Sequence, residues 1–406
     1  MLNVVILSGG RGGASVIPAL LDRQGLHVTA VVNAYDDGKS TGEIRRFFGM
    51  LGPSDIRKVQ ELMLPRDDAD YAAHLHLFQY RFPVTVARED ALASLRAFAL
   101  SEETVLLGAR LVNQKVRAAV RVFIKEFLNT LNAVEQESGE LFNFADCSIM
   151  NCIYAGAFVA LDRNIEAATL YIDRLFKLRG DVLPTSIEDK KLVALRENGQ
   201  MLYSEAEIVE LRSNVRIERI YLLDKLLDRA RFEPLPTADK RYYLEKHHCY
   251  VGVSPRVKLS LQQADLIIYA AGTQHSSLYP TYMSAGLAEA IADNHSAFKV
   301  FVTNIGADYE TPSYKASDYL RGALKYLNFS DKRTYSAEEL FDVCLVNQSR
   351  LKADETYVDF DQDGYEGLGV RLVLDRFEAI ESPGKHDGPH MVQTILDLYE
   401  ASTVLA

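Results

Sequence analysis

The sequence predicts an α/β fold, a mostly parallel sheet flanked by helices with a smaller β-rich peripheral portion, on three observations. Residues 2–7 form an apolar run broken only by Asn3, as a strand buried on both faces requires. A glycine-containing loop, Ser8-Gly9-Gly10-Arg11-Gly12-Gly13, follows, and residues 14–21 then read as an apolar helix. Residues 27–32 give a second strand, so strand, loop, helix and strand come in the order that parallel pairing with a crossover demands. That order describes the start of a Rossmann-like sheet.

The remaining elements follow from periodicity and punctuation. Residues 55–80 have a helical pattern broken at Pro65-Arg66-Asp67-Asp68, and the stretch to Asn143 continues as helices, including residues 116–131. Residues 146–161, with small side chains interleaved, read as a buried helix, and residues 165–178 as another. After Arg179-Gly180 the character changes: residues 181–185, 192–195 and 200–203 are short segments around Glu197-Asn198-Gly199, as in hairpins. Residues 181–256 are therefore expected as a peripheral elaboration, with 221–243 as an exposed helix plus loop, and residues 1–180 and 257–406 as the main domain. Strands resume at 264–270 and 298–303, helices fall at 282–292 and 316–327, residues 356–360 and 370–375 are late strand candidates, and an amphipathic helix closes the chain at 390–399.

Composition narrows the function classes. An apolar fraction of 48% against 25% charged residues belongs to a folded chain, because a disordered one has too little apolar surface to offset its ordering entropy. A net charge of -11 with no basic run repels phosphate backbones, which excludes nonspecific nucleic-acid binding, yet backbone amides or a bound cation can still hold a small phosphorylated ligand. Cys147, Cys152, Cys249 and Cys344 form no CxxC pair, which fits free thiols in a reducing cytosol. The opening turns to glycine too early for a signal peptide, and no run approaches membrane-spanning length. The expectation is a soluble, cytoplasmic protein with no membrane partner, and a homo-oligomer is compatible with it.

The chemistry-bearing candidates cluster where strands end. Residues 8–13 suit a diphosphate, since glycines allow close approach and the helix beyond presents unpaired N–H groups. The spacing is neither GxGxxG nor a P-loop, and a strand-to-helix turn accounts for the same glycines. Asn33, Asp36 and Asp37 follow the second strand; adjacent carboxylates can hold Mg²⁺ through waters, Asp37 above all, or form a solvated Asx turn. Ser40, Thr41 and Arg45 make a second phosphate-compatible group, while Asp55 opens a helix and Arg57 suits either a phosphate or an ion pair. Gly272, Thr273, Ser276 and Ser277 surround His275 after another buried strand, where ligand contact fits better than proton transfer. His247-His248-Cys249 and the His386, Asp387, His390 group lack the partners a metal site needs.

Taken together these segments resemble the family that joins 2-phospho-L-lactate transferase (CofD) with the bacterial gluconeogenesis factor (YvcK), closer to the second branch. The likeness rests on residues 8–13, 33–45, 52–57, 146–151, 180–185, 265–268, 272–280, Asn304 with Glu310-Thr311, and 384–387. Ser148 and Asn151 agree with a family motif from which Cys147 and Met150 depart; Lys39 stands for a usual glycine and Thr273-Gln274-His275 for a usual Pro-Gly. The resemblance implies a nucleotide-diphosphate or nucleotide-sugar ligand and a regulatory role in carbon or envelope metabolism. Its other branch implies a Mg²⁺-dependent transfer of a phospho-linked group to an acceptor hydroxyl, with Asp36 and Asp37 catalytic. Ser148, Asn151 and Asn304 enter as ligand residues through it.

Overall fold

The computed structural model describes every residue except Arg11, Glu102, Glu103, Ala353, Asp354, Glu355 and Ala406. Seven parallel strands form its centre: β1 (Leu2–Ser8), β2 (Leu26–Val32), β3 (Asp181–Pro184), β4 (Leu266–Tyr269), β5 (Phe298–Val302), β6 (Val343–Asn347) and β7 (Arg371–Asp375). Their order across the sheet is β7-β6-β5-β4-β1-β2-β3, the doubly wound order, in which the chain reverses direction of growth between β1 and β4. Register is continuous through the centre: Val4 lies beside Val28 on one side and Leu266 on the other. Val4, Val5, Ile6 and Leu7 are all buried, which is why no alternation marks this strand in the sequence.

Helices cover both faces. α1 (Val16–Leu21) follows the glycine loop and packs against the closing helix, Gly388–Leu405; α2 (Lys39–Phe48) and α3 (Ser54–Leu62) follow β2. The small residues between 146 and 161 have a packing reason. A side chain at Gly156 would place Cβ 1.7 Å from Phe123 O, so helix Ile149–Ala160 meets helix Gln114–Ser138 backbone to backbone.

Four segments differ from the sequence reading. Residues 181–185 were expected in peripheral hairpins, but Asp181–Pro184 joins the main sheet parallel to β2, with Ala30 beside Val182. Residues 221–243 were expected as exposed helix and loop; residues 224–243 are so, with helices Arg229–Phe232 and Thr237–His247, but residues 221–223 end the strand Ile217–Leu223 of a small antiparallel sheet with Lys191–Arg196 and Met201–Leu202. Both faces of that sheet are covered: Leu192, Ala194, Ile220 and Leu222 join the main core, while Val193, Leu195, Tyr221 and Leu223 join a satellite core with Phe232 and Leu244. Double burial removes the period of two that would have exposed the strand. β6 was missed for the same reason, and residues 356–360 make only isolated bridges at Tyr357 and Asp359.

Candidate functional site

The carboxyl ends of β1, β2 and β4 bring the glycine loop, the Asn33–Gly38 segment and the Gly272–Ser277 segment to one rim, at the switch point where open α/β sheets bind ligands. None of Gly9, Gly10, Gly12 or Gly13 has a positive φ, so space rather than handedness selects them. A Cβ on Gly12 would fall 2.2 Å from Ala271 O, and one on Gly10 would fall 2.3 Å from Asp55 Oδ1 and 2.9 Å from Lys58 Cδ. The loop thus packs tightly between β4 and α3. Even so, among the described residues the amide N–H groups of Gly9, Gly10, Gly12 and Gly13 donate to no protein acceptor. Arg11 lies outside the described residues.

Beside these amides stands an ion-paired group. Lys58 Nζ lies 2.7 Å from Asp55 Oδ1 and 3.8 Å from Asp36 Oδ2, so one ammonium serves two carboxylates. Ser277 donates to Asp55 Oδ2 at 3.3 Å and accepts from the Thr273 hydroxyl at 3.1 Å, which extends the group to the third loop. Burial, reinforced by the nearby Asp55 charge, raises the Asp36 pKa. Sequence reading missed Lys58; its spacing of three from Asp55 on α3 was the available signal.

Glu205 was also missed, because it comes from the small-sheet portion. It is buried, and burial together with the charges of Asp36, Asp55, Asp37 and Glu310 pushes its pKa up to about 10, which keeps it a protonated acid at neutral pH. Glu310 is pushed to about 8, first by burial and then by Asp308. Its carboxylate accepts from the His275 and Ser276 amides, both at 2.9 Å, and from the Ser276 hydroxyl at 2.6 Å.

Several expected ligand contacts are engaged with the protein instead. The Arg45 guanidinium is 3% exposed and binds Tyr35 O, Asp36 O, Lys190 O and the Asp189 carboxylate; it clamps the Asn33–Gly38 segment to the small sheet and is not placed to meet a phosphate. Arg57 is buried behind the Asp36 and Asp55 pair and donates to Phe78 O at 2.7 Å. Asp37, expected to hold a metal, accepts from the Ala206 amide at 3.0 Å and so caps helix Glu205–Glu210. Asn33 ties β2 to the third loop through Ser276 O, Asn304 closes both arms of its amide on Gly272, and the Ser8 hydroxyl donates to Gly9 O. Ser276 and the amide of Gly272 are likewise satisfied within the protein.

Ser40 and Thr41 meet Asn151 Nδ2 at 3.3 and 3.5 Å beneath the start of α2, while Asn151 Oδ1 and the Ser148 hydroxyl are buried without partners among the described residues. Lys39 sits at φ 40°, a left-handed conformation that glycine adopts freely. Beyond Asn304 a cavity of about 340 Å³ opens at the ends of β5 and β6, lined by Asn347, Gln348, Ser349, Arg350 and Phe360. Among the described residues no group of three or more His, Cys, Asp or Glu side chains can hold a metal ion, and no helix is long and apolar enough to cross a membrane.

The family model described as 2-phospho-L-lactate transferase CofD matches residues 4–377. The chain belongs to the CofD family. Within this family it is similar to the gluconeogenesis factor of Listeria monocytogenes, 24% identical over 93% of this chain and 89% of the relative. It is also similar to the gluconeogenesis factor of Bacillus subtilis, 22% identical over 97% of each chain. A crystal structure of a Bacillus halodurans member of the UPF0052 family shares the fold, with a TM-score of 0.66 and 20% identity over 98% of this CofD-family chain and 99% of that one.

Proposed function

We propose that this CofD-family protein binds a nucleotide-linked diphosphate, of the nucleotide-sugar type, at the switch-point rim and acts as a regulator of carbon or envelope metabolism. The observation that carries the proposal is that, among the described residues, the amides of Gly9, Gly10, Gly12 and Gly13 at the end of the central strand have no protein acceptor. Amides so placed favour an anion, and Lys58 stands beside them as the cation. Asn304 links this rim to the 340 Å³ cavity, whose polar lining and Phe360 suit a nucleoside. The name gluconeogenesis factor borne by the relatives supports a role in carbon metabolism.

Titration calorimetry with UDP-sugars, GDP and FAD, each with and without Mg²⁺, tests the ligand class. At least one saturable isotherm is expected; none under either condition would remove the proposal.

A second reading, transfer of a phospho-linked group from a nucleotide diphosphate to an acceptor hydroxyl, draws on Glu205. A carboxylic acid kept protonated beside Asp36 can donate a proton or a hydrogen bond to a leaving oxygen. The carboxylates that fit Mg²⁺ are Asp36 and Asp55, two acceptors already sharing a cation, where Mg²⁺ would complete its shell with phosphate and water and neutralise the charge that builds on the broken anhydride. Incubation with guanosine diphospholactate and a deazaflavin acceptor should then release GMP; no release with Mg²⁺ present excludes this reaction.

A further inference from the structure

A second pocket lies away from the glycine rim, where the edge strand Ile217–Leu223 of the small sheet meets the end of helix Ala316–Leu327. Its volume is about 360 Å³, room for a single-ring compound. Tyr250 and Phe329 form an aromatic wall with planes 29° apart, and the His248 ring meets each of them edge-on. Arg219 and Lys325 line the same space.

Among the described residues the pocket is lined by one carboxylate, Glu245, which is paired with Arg219, and its other charged groups are cations. His248 Nδ1 accepts the Leu222 amide at 3.1 Å, so in the neutral ring Nε2 carries the proton. Burial holds that ring neutral by lowering its pKa to about 4. Among the described residues His248 Nε2 and the Tyr221 hydroxyl have no partner, and both are buried, on side chains 9% and 1% exposed. Two buried donors left unsatisfied in one pocket cost about 1–3 kcal/mol each unless something accepts from them. Of the carboxylates nearby, Glu245 pairs with Arg219 at 3.4 Å and Glu218 forks onto Arg241, which leaves Lys325, bonded to Glu218 O, as excess positive charge.

We infer that this pocket is a second ligand site for a small planar anion, its ring against Tyr250 and Phe329 and its carboxylate or phosphate accepting from Tyr221, His248 Nε2 and Arg219. The inference is independent of what binds at the glycine rim, since the two share no residue.

The test titrates the full chain calorimetrically with benzoate, phenyl phosphate and inorganic phosphate. One of the two ring anions should saturate one site per chain, and the tighter of them identifies the acid group; inorganic phosphate should bind at least tenfold more weakly because it lacks the ring. Tyr221→Phe, which deletes only the hydroxyl, and Arg219→Gln should each weaken the ring anion about tenfold, or 1.4 kcal/mol. Nucleotide affinity at the glycine rim should not change. Tyr250→Ala, at an exposed position, should weaken the ring anion but not inorganic phosphate, and it keeps the test open if Arg219→Gln fails to fold. Absence of saturable binding by either ring anion, or wild-type binding in both Tyr221→Phe and Tyr250→Ala, would overturn the inference.

Discussion

Gly12→Ala separates a glycine needed for ligand geometry from one needed only for the turn. The new Cβ would lie 2.2 Å from Ala271 O and 2.8 Å from Gly272 Cα, both backbone atoms that no rotamer change can clear. Ordinary contact begins near 3.4 Å, so the glycine loop and the β4 loop must part by about 1.2 Å. Overpacking of this kind costs about 1–3 kcal/mol. A misplacement of about 1 Å at positioned donors can cost about a hundredfold in the interaction they make. The assay pairs urea unfolding with calorimetric titration of the nucleotide ligand, and Gly25→Ala is the control. Gly25 has φ +80° with nothing near its Cβ position, so its substitution costs about 1–2 kcal/mol of backbone strain without touching the rim. Gly12→Ala should lose at least tenfold in diphosphate affinity while Gly25→Ala binds as the wild type. Equal affinities in the two folded variants would refute the assignment of the Gly9, Gly10, Gly12 and Gly13 amides to the ligand.

Other perturbations separate the remaining roles. Lys58→Met leaves Asp36 and Asp55 as an unpaired couple 14% and 10% exposed; stability should fall by about 1–3 kcal/mol, and millimolar Mg²⁺ should restore part of the melting temperature, whereas no Mg²⁺ effect would remove the divalent cation from the site. Arg45→Lys cannot reproduce the fork onto Asp189 and the carbonyls, so unfolding should occur at lower urea with no change in ligand affinity of the folded protein; a selective affinity loss would return Arg45 to the ligand. Glu205 is protonated when folded up to about pH 10 and ionised when unfolded above its ordinary value of 4.5. The unfolded chain binds fewer protons in that window, so this group makes stability fall as pH rises through it. Glu205→Gln should therefore raise the urea midpoint at pH 7 to 9 and flatten its decline from pH 5 to 9; an unaltered profile would show that Glu205 is ionised in the fold.

The amino-acid sequence by itself determined the parallel core and the glycine loop that ends its central strand. β1, its glycine loop and α1 are local, and their signals, an apolar run and clustered glycines, survive without tertiary knowledge. What only the tertiary structure decided is which charged side chains stay at the rim. Arg45 and Arg57 look like phosphate ligands in one dimension, but Lys190 O, Asp189 and Phe78 O, none of them a near neighbour in sequence, take their hydrogen bonds. Lys58 and Glu205 read as ordinary surface residues until the fold brings Asp36 to both of them from another element and sets Asp55, Lys58's neighbour on α3, beside Glu205 as well. Double burial likewise hid β6 and the strand Ile217–Leu223, since periodicity reports a strand only when one of its faces meets water. Backbone geometry follows from short-range pattern, whereas the charge state and partners of a side chain depend on what long-range packing brings within a few ångströms of it.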